Sequence, residues 1–329
     1  MTKLVTILGG SGFVGRYVAR RMAQAGWRVR VATRRPNEHL NLRTFGAVGQ
    51  VEPVLCNIRN RDSLKSVIAG ADAVVNCCGI LTESGKNSFA AVQSEAPGTI
   101  AELAAEAGVA HLVHISAIGA DAGSDSAYAR TKAAGEAAVL AAFPGAVILR
   151  PSIIFGPEDQ FFNRFAAMTR LTPVLPIAGG DSLFQPVYVD DVARAAAEGA
   201  MGLVPAGTYE LGGPDTASFR DLMTMMLAEI RRKRLILTMP GWMARGVARA
   251  LGAAQFLTAG LFTNTVLTQD QLKNLARDNV VSPGARGLAD LGITPTPMAL
   301  ILPTYLWRHR PTGQFTAMRE AADQLRRHG

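Results

Sequence analysis

Cysteine is scarce in this chain: Cys56, Cys77 and Cys78 are the only three among 329 residues. Two of them are adjacent within an apolar run. No disulfide framework and no metal-ligand spacing runs through them, and reduced, buried thiols are the expectation. Long hydrophobic runs are missing as well. A membrane-spanning helix takes about 20 mostly apolar residues, and the best stretches, such as "PMALILPTYLW", are shorter and broken by proline. No low-complexity tract and no repeat of fixed period occurs. Neither sign of charge dominates: Lys and Arg number 34 against 26 acidic residues, a surplus of 8. That surplus suits an anionic partner, whether nucleotide phosphate, lipid headgroup or nucleic acid. Basic clusters interleaved with stacking aromatics are absent, which argues against nucleic acid. Strand-like sequence begins at about Lys3, leaving no room for a signal or transit peptide, so a cytosolic or already processed chain is expected.

What is present is a composition for a large core with many turns: 48% hydrophobic residues, 33 Gly and 17 Pro. The length suits one large domain with an appended lobe, or two modest domains. The first half alternates apolar strand-like runs ("KLVTILG", "RVRVATR", "ADAVVNCCG", "AHLVHISAIG", "GAVILRPS") with helical stretches such as "FVGRYVARRMAQAG" and "YARTKAAGEAAVLAAF". Such alternation requires right-handed crossovers and a parallel sheet covered on both faces. The expected fold class is therefore α/β, a doubly wound parallel sheet of Rossmann type with a smaller, mainly helical C-terminal lobe. We place the nucleotide-binding domain at residues 1–212, with 151–184 contributing to the cleft, and the smaller lobe at 213–329.

Gly9, Gly12 and Gly15 make a Gly-x-x-Gly-x-x-Gly loop between the first strand and a helix, the context that gives the pattern meaning. Glycines permit a tight turn and close approach of backbone N–H groups to a pyrophosphate, which the helix amino terminus also favours. Gly9, Gly10, Ser11, Gly12, Phe13, Val14 and Gly15 are thus assigned to a dinucleotide. A cofactor with a free ribose 2′-hydroxyl usually meets an acid at the end of the second strand. Here that strand ends in Thr33, Arg34 and Arg35. Two guanidiniums suit a 2′-phosphate, so NADPH is expected over NADH; the alternative is a solvated basic face. Asn57 and Ile58 follow the third strand, where adenine edges are commonly contacted, and Cys78 and Gly79 end the fourth near the cofactor.

Tyr128 and Lys132 in "YARTK" stand at i and i+4 on one helical face. Ser116 closes the preceding strand. In this arrangement a lysine ammonium lowers the tyrosine pKa and bonds the nicotinamide ribose. Tyrosine exchanges a proton with the substrate, and serine polarises the same oxygen.

The glycine loop, Ser116, Tyr128 and Lys132 together resemble the short-chain dehydrogenase/reductase superfamily in its extended or atypical branch. Further segments, "YARTKAAGE", "LRPSIIFGPEDQFFNRFA", "QPVYVDDVARA" and "LADLGITPTPMALILPTYLWRHRP", make the chain similar to the family of accessory subunit nine of the alpha subcomplex of respiratory complex I and its bacterial relatives. The likeness runs from Leu4 to about Phe315. It implies tight NADPH binding without known turnover, and a place on the peripheral arm near the membrane and the quinone site. It implies Gly9, Gly12, Gly15 and Arg34 as nucleotide contacts, Tyr128 and Lys132 near the nicotinamide ribose, and Arg150, Pro151 and Ser152 beside the nicotinamide. The location it implies is peripheral, on the cytoplasmic side of a bacterial inner membrane or the matrix side in a mitochondrion. The intact Ser-Tyr-Lys set leaves a second reading open: an active NADP-dependent reductase, dehydrogenase or epimerase, acting for instance in quinone biosynthesis.

The remainder from about Asp215 reads as helical and basic. "EIRRKRLIL" clusters Arg231, Arg232, Lys233 and Arg234. The following "PGWMARGVARALGAAQFLTAGLF" places Arg245 and Arg249 beside Trp242, Met243, Val247 and Leu251. These suit lipid headgroups or a membrane-embedded partner subunit, or equally an ordinary helix with arginine stems over apolar surface. Arg308, His309 and Arg310 either meet an anionic neighbour or are solvated. His111 and His114 read as structural, Asp190 and Asp191 as helix caps, and no metal site is expected.

Overall fold

The computed structural model describes residues 2–170, 172–243, 245–246, 269–311 and 313–315. Strands β1 (Leu4–Leu8), β2 (Arg28–Thr33), β3 (Val51–Leu55), β4 (Ala73–Asn76), β5 (His111–Ile115) and β6 (Val147–Pro151) join the edge strand Gly207–Leu211 in a seven-stranded sheet. Its order is edge strand–β6–β5–β4–β1–β2–β3, and every pairing is parallel. β4 is buried along its whole length, as a central strand covered on both faces must be. Pro53 lies in β3, the outer strand beyond β2, where a missing ladder donor costs least.

Helices α1 (Phe13–Gln24) and α6 (Val189–Ala200) cover one face of the sheet, burying Val18, Met22, Val192 and Ala196 against Val5, Ile7 and Val75. Helices α2 (Arg61–Ile68), α3 (Ala96–Glu106) and α4 (Ala127–Ala142) cover the other, with Leu64, Ile100 and Val139 packed on Leu8, Val74 and Ile148. A π-helical turn, Ala90–Glu95, precedes α3. α4 approaches it so closely that a methyl on Gly135 would lie 2.0 Å from the Gln93 carbonyl oxygen.

A third cluster joins Phe155, Phe162 on α5 (Phe162–Met168), Leu175 and Phe184 to α7 (Phe219–Glu229) and the C-terminal helix, through Phe219, Met226, Leu302 and Tyr305. The region is not helical throughout. Leu235–Met239, within the stretch read as basic helix, is a strand pairing in parallel with Val174–Ala178. Its alternating exposure, with Leu235 and Leu237 outward and Ile236 half-buried, reflects an apolar run carrying a two-residue rather than a helical period. The following helical expectation at Val247, Arg249 and Leu251 lies outside the described residues. Helix α8 (Gln269–Leu275) and helix α9 (Met298–Leu306) follow among the described residues. No helix among the described residues is long and apolar enough to cross a membrane.

The capping expectation for Asp190 and Asp191 is corrected. α6 begins at Val189 with no side-chain cap. Asp190 instead takes two hydrogen bonds from Arg21, both 2.7 Å, and Asp191 accepts from the backbone and hydroxyl of Thr296. The cap position itself is Tyr188, and both aspartates lie inside the first turn, where their carboxylates tie α6 to distant segments.

Candidate functional site

The glycine loop leaves β1 at the carboxyl edge of the sheet. Gly9 has a φ of +73°, which favours glycine. A methyl there would also lie 3.0 Å from the Cys78 sulfur. Gly15 serves packing: its methyl would sit 2.3 Å from the Gly9 carbonyl oxygen and 2.6 Å from the Gly10 Cα. Gly12, exposed, is the N-cap of α1; it has no capping side chain, and the first turn carries no acid. The helix dipole and free N–H groups are thus left for an anion. Arg16 steadies the loop by donating to the carbonyls of Gly12 and Ser11, and the Ser11 and Thr33 hydroxyls bond at 2.9 Å. Phe13 and Val14 are half-buried at the helix start, Phe13 edge-on to Tyr17.

Arg34 and Arg35 differ. Arg35 pairs with Glu38 across 3.2 Å, whereas exposed Arg34 makes no hydrogen bond or ion pair among the described residues. Its charge favours the thiolate of Cys78, yet burial first, and then Cys56, push that thiol up to about 12. Cys77 is likewise held far above the usual thiol range by burial. Cys56 is buried, but Cys77 and Cys78 are half-buried, because they follow β4 beyond its last residue, Asn76, rather than lying inside the strand. Asn57 is exposed, its side-chain oxygen engaged by the Arg59 N–H, and Ile58 packs against the α2 side of the core.

Ser116 continues β5, its N–H bonded to the Leu149 carbonyl at 2.7 Å. Its hydroxyl is buried and has no partner among the described residues. Lys132 is buried and donates to the Ile115 carbonyl at 3.1 Å, and a methyl on Gly79 would lie 3.5 Å from its ammonium. Burial lowers Lys132 to about 8 against the opposing pull of Glu136, Cys78 and Cys77. Tyr128, edge-on to Phe89 at 5.9 Å, is pushed up to about 12 by burial and by the charge of Asp270. The expected lowering of the phenol by a neighbouring ammonium is therefore not found; both influences on Tyr128 act upward. Two further polar atoms are buried and unpaired nearby, Gln93 Oε1 and His114 Nε2. His114 takes up Asn76 at 3.0 Å, and burial together with Lys132 lowers it to about 3, so it is neutral.

Arg150 and Ser152 are placed at the strand end, but their side chains are committed elsewhere. Arg150 binds Glu136 and lies 3.5 Å from Glu210. The Ser152 hydroxyl donates to the side-chain and backbone oxygens of Asn279, and the Pro151 carbonyl accepts from the Ile118 N–H. Asp270 and Asn279 went unforeseen: Asp270 lies more than a hundred residues from the start of α4, and Asn279 from Ser152, and no spacing rule reaches that far. Glu136, four residues after Lys132, was within reach of the helical period. Among the described residues, no three metal-ligating side chains gather.

Residues 5–198 match the NAD dependent epimerase/dehydratase family. The chain belongs to that family. The chain is also similar to the mitochondrial subunit 9 of the NADH dehydrogenase [ubiquinone] 1 alpha subcomplex. It is 34% identical to that protein of Arabidopsis thaliana over 302 residues, covering 89% of this chain and 74% of the relative. It is 30% identical to the Rattus norvegicus protein over 310 residues, covering 93% and 80%. The fold is also that of a solved NADPH-dependent quinone oxidoreductase from Escherichia coli in complex with NADPH (TM-score 0.69, 17% identity, covering 92% of this chain and 98% of that one).

Proposed function

We propose that this chain is an NADPH-binding, non-catalytic accessory subunit of a membrane-attached respiratory complex I, in which the nucleotide serves as a structural ligand. The observation that carries the reading is the near full-length similarity to subunit 9 proteins. The glycine loop and the uncapped α1 fit a pyrophosphate, and unpaired Arg34 fits a 2′-phosphate. Lys132 and Tyr128 would hold the nicotinamide ribose. When bound, the nicotinamide supplies a hydride donor or acceptor. A ligand bound only by the folded state adds RT ln(1 + [L]/Kd), about 4 kcal/mol at a thousandfold excess over Kd.

The placement we propose is peripheral, on the cytoplasmic side of a bacterial inner membrane or its matrix equivalent, beside peripheral-arm subunits. Exposed Leu235, Leu237 and Trp242, near Lys233, support a lobe that faces lipid headgroups or the quinone region. Much of the basic cluster is engaged internally: Arg232 donates to the His309 carbonyl, Arg234 to that of Thr169, and Arg310 pairs with Glu229. A second reading, an active NADP-dependent reductase, dehydrogenase or epimerase, draws support from the unpaired Ser116 hydroxyl beside Tyr128 and Lys132.

Native electrophoresis of detergent-solubilised membranes tests the first reading. The chain is expected in a large NADH-oxidising assembly with stoichiometric NADPH extractable from it, and Tyr128→Phe should leave that assembly intact. A chain migrating alone, exchanging nucleotide freely and losing turnover with Tyr128→Phe, would establish the second.

A further inference from the structure

The first turn of α4, which presents Tyr128 and Lys132, is held by a residue from far along the chain. Asp270 Oδ2 accepts from the Ser126 hydroxyl at 2.8 Å and from the Tyr128 N–H at 3.1 Å, and Oδ1 accepts from the Ala127 N–H at 2.8 Å. A local cap already exists, since the Ser126 hydroxyl accepts from the Ala129 N–H. Asp270 therefore takes the N–H groups that a local cap leaves over, at the helix end where a negative charge is favoured. Its neighbours grip the loop just before the helix: Lys273 donates to the Asp125 carbonyl, and Arg277 to the Asp125 carboxylate and the Ser124 hydroxyl. Asn279 then reaches Ser152 and the Ile118 carbonyl. The stretch from Asp270 to Asn279 thus touches the segment between Ser116 and Tyr128 and the residue that follows β6.

We infer that Asp270 is a positioning residue for the nucleotide site, setting the orientation of Tyr128 and Lys132 from the C-terminal lobe. The inference rests on the proposal that these two side chains hold a nicotinamide ribose. Its physical basis is the two N–H bonds and one hydroxyl bond to a carboxylate, each stronger than a neutral bond, at the turn that aims the tyrosine. The charged groups around Tyr128 are Asp270 itself, Lys132 one turn on, and Lys273 and Arg277, both turned toward Asp125.

The test measures NADPH affinity by calorimetry for the full chain and three variants. Asp270→Ala should weaken binding at least about tenfold, while Asp270→Asn, which keeps one of the two acceptor oxygens, should weaken it less than Asp270→Ala does. Met226→Ala, a core truncation in the α7 cluster, should cost at least as much thermal stability yet leave the affinity within about twofold. An Asp270→Ala protein that binds as the unaltered chain does, or a Met226→Ala protein that weakens equally, overturns the inference. If the unaltered chain takes up no NADPH, the proposed function fails, and the ring signals of Tyr128 in NMR decide the positioning role. They should move in Asp270→Ala, move less in Asp270→Asn and stay put in Met226→Ala. Unmoved signals in Asp270→Ala overturn it.

Discussion

Arg150 grips Glu136 with two nitrogens, Nε at 3.0 Å from one carboxylate oxygen and Nη2 at 2.6 Å from the other. Glu136 is 5% exposed and sits one turn beyond Lys132 on α4, so the pair links the sheet to the helix that carries the site. Arg150→Met should leave Glu136 as a buried, unpaired charge and Glu210 without its cation. The expected loss is about 3–5 kcal/mol in urea unfolding. Arg150→Met with Glu136→Gln should recover part of it. A loss under about 1 kcal/mol for the single variant would show that water reaches the pair.

Lys132 makes stability depend on pH in a defined direction. Its folded value is lowered from 10.5 to about 8, chiefly by burial. Between about pH 8 and 10.5 the unfolded chain therefore binds more protons than the folded one, and its contribution to stability rises with pH there. The Cys77 and Cys78 thiols and Tyr128, shifted upward, act in the opposite sense at higher pH, so the contribution is read by difference. Lys132→Met should be more stable than the unaltered chain at pH 7. That gap should narrow between pH 8 and 10.5, at most about 1.4 kcal/mol per unit. A pH-independent gap in denaturation curves rules the assignment out.

The sheet was readable in advance because its strands are apolar runs punctuated by glycine, and the quoted stretches contain β1, β2, β4, β5 and β6 as found. The segment that leads into β5 is divided into the π-turn and α3. Pro97 in the first turn of α3 and the close approach of Gly135 supply the physical reason, and tertiary contact is not encoded in period alone. Ser116, Tyr128 and Lys132 were legible through local spacing. What closes over them was not: Asp270 and Asn279 act by single oxygen atoms placed by the whole fold. Arg150 was visible as a strand-end residue, but its partner Glu136 decides where its guanidinium goes.

Arg34 is the residue we expect to discriminate the two pyridine nucleotides, since Arg35 is engaged with Glu38. Arg34→Asp should weaken NADPH about 10- to 100-fold, the worth of one lost charge-assisted contact plus repulsion. NADH affinity should hold or improve. Arg35→Ala should change the ratio little. Equal affinities for the two nucleotides in the unaltered chain would remove the basis for the NADPH assignment.

Gly12 and Gly15 separate binding from folding within one loop. A methyl on Gly15 meets the backbone of Gly9 and Gly10 at 2.3 and 2.6 Å, and backbone cannot rotate out of the way. Gly15→Ala should therefore force α1 off β1 and cost about 1–3 kcal/mol as overpacking does, with nucleotide affinity lost alongside. Gly12 has an ordinary φ of −73°, is exposed, and its methyl would stand 3.1 Å from a single carbonyl oxygen. Gly12→Ala should melt within a few degrees of the unaltered chain while binding NADPH at least about tenfold more weakly, because the methyl occupies the space where a pyrophosphate approaches the N–H groups. Thermal melts paired with calorimetry check both. Undiminished binding by Gly12→Ala would place the phosphates away from the first turn of α1.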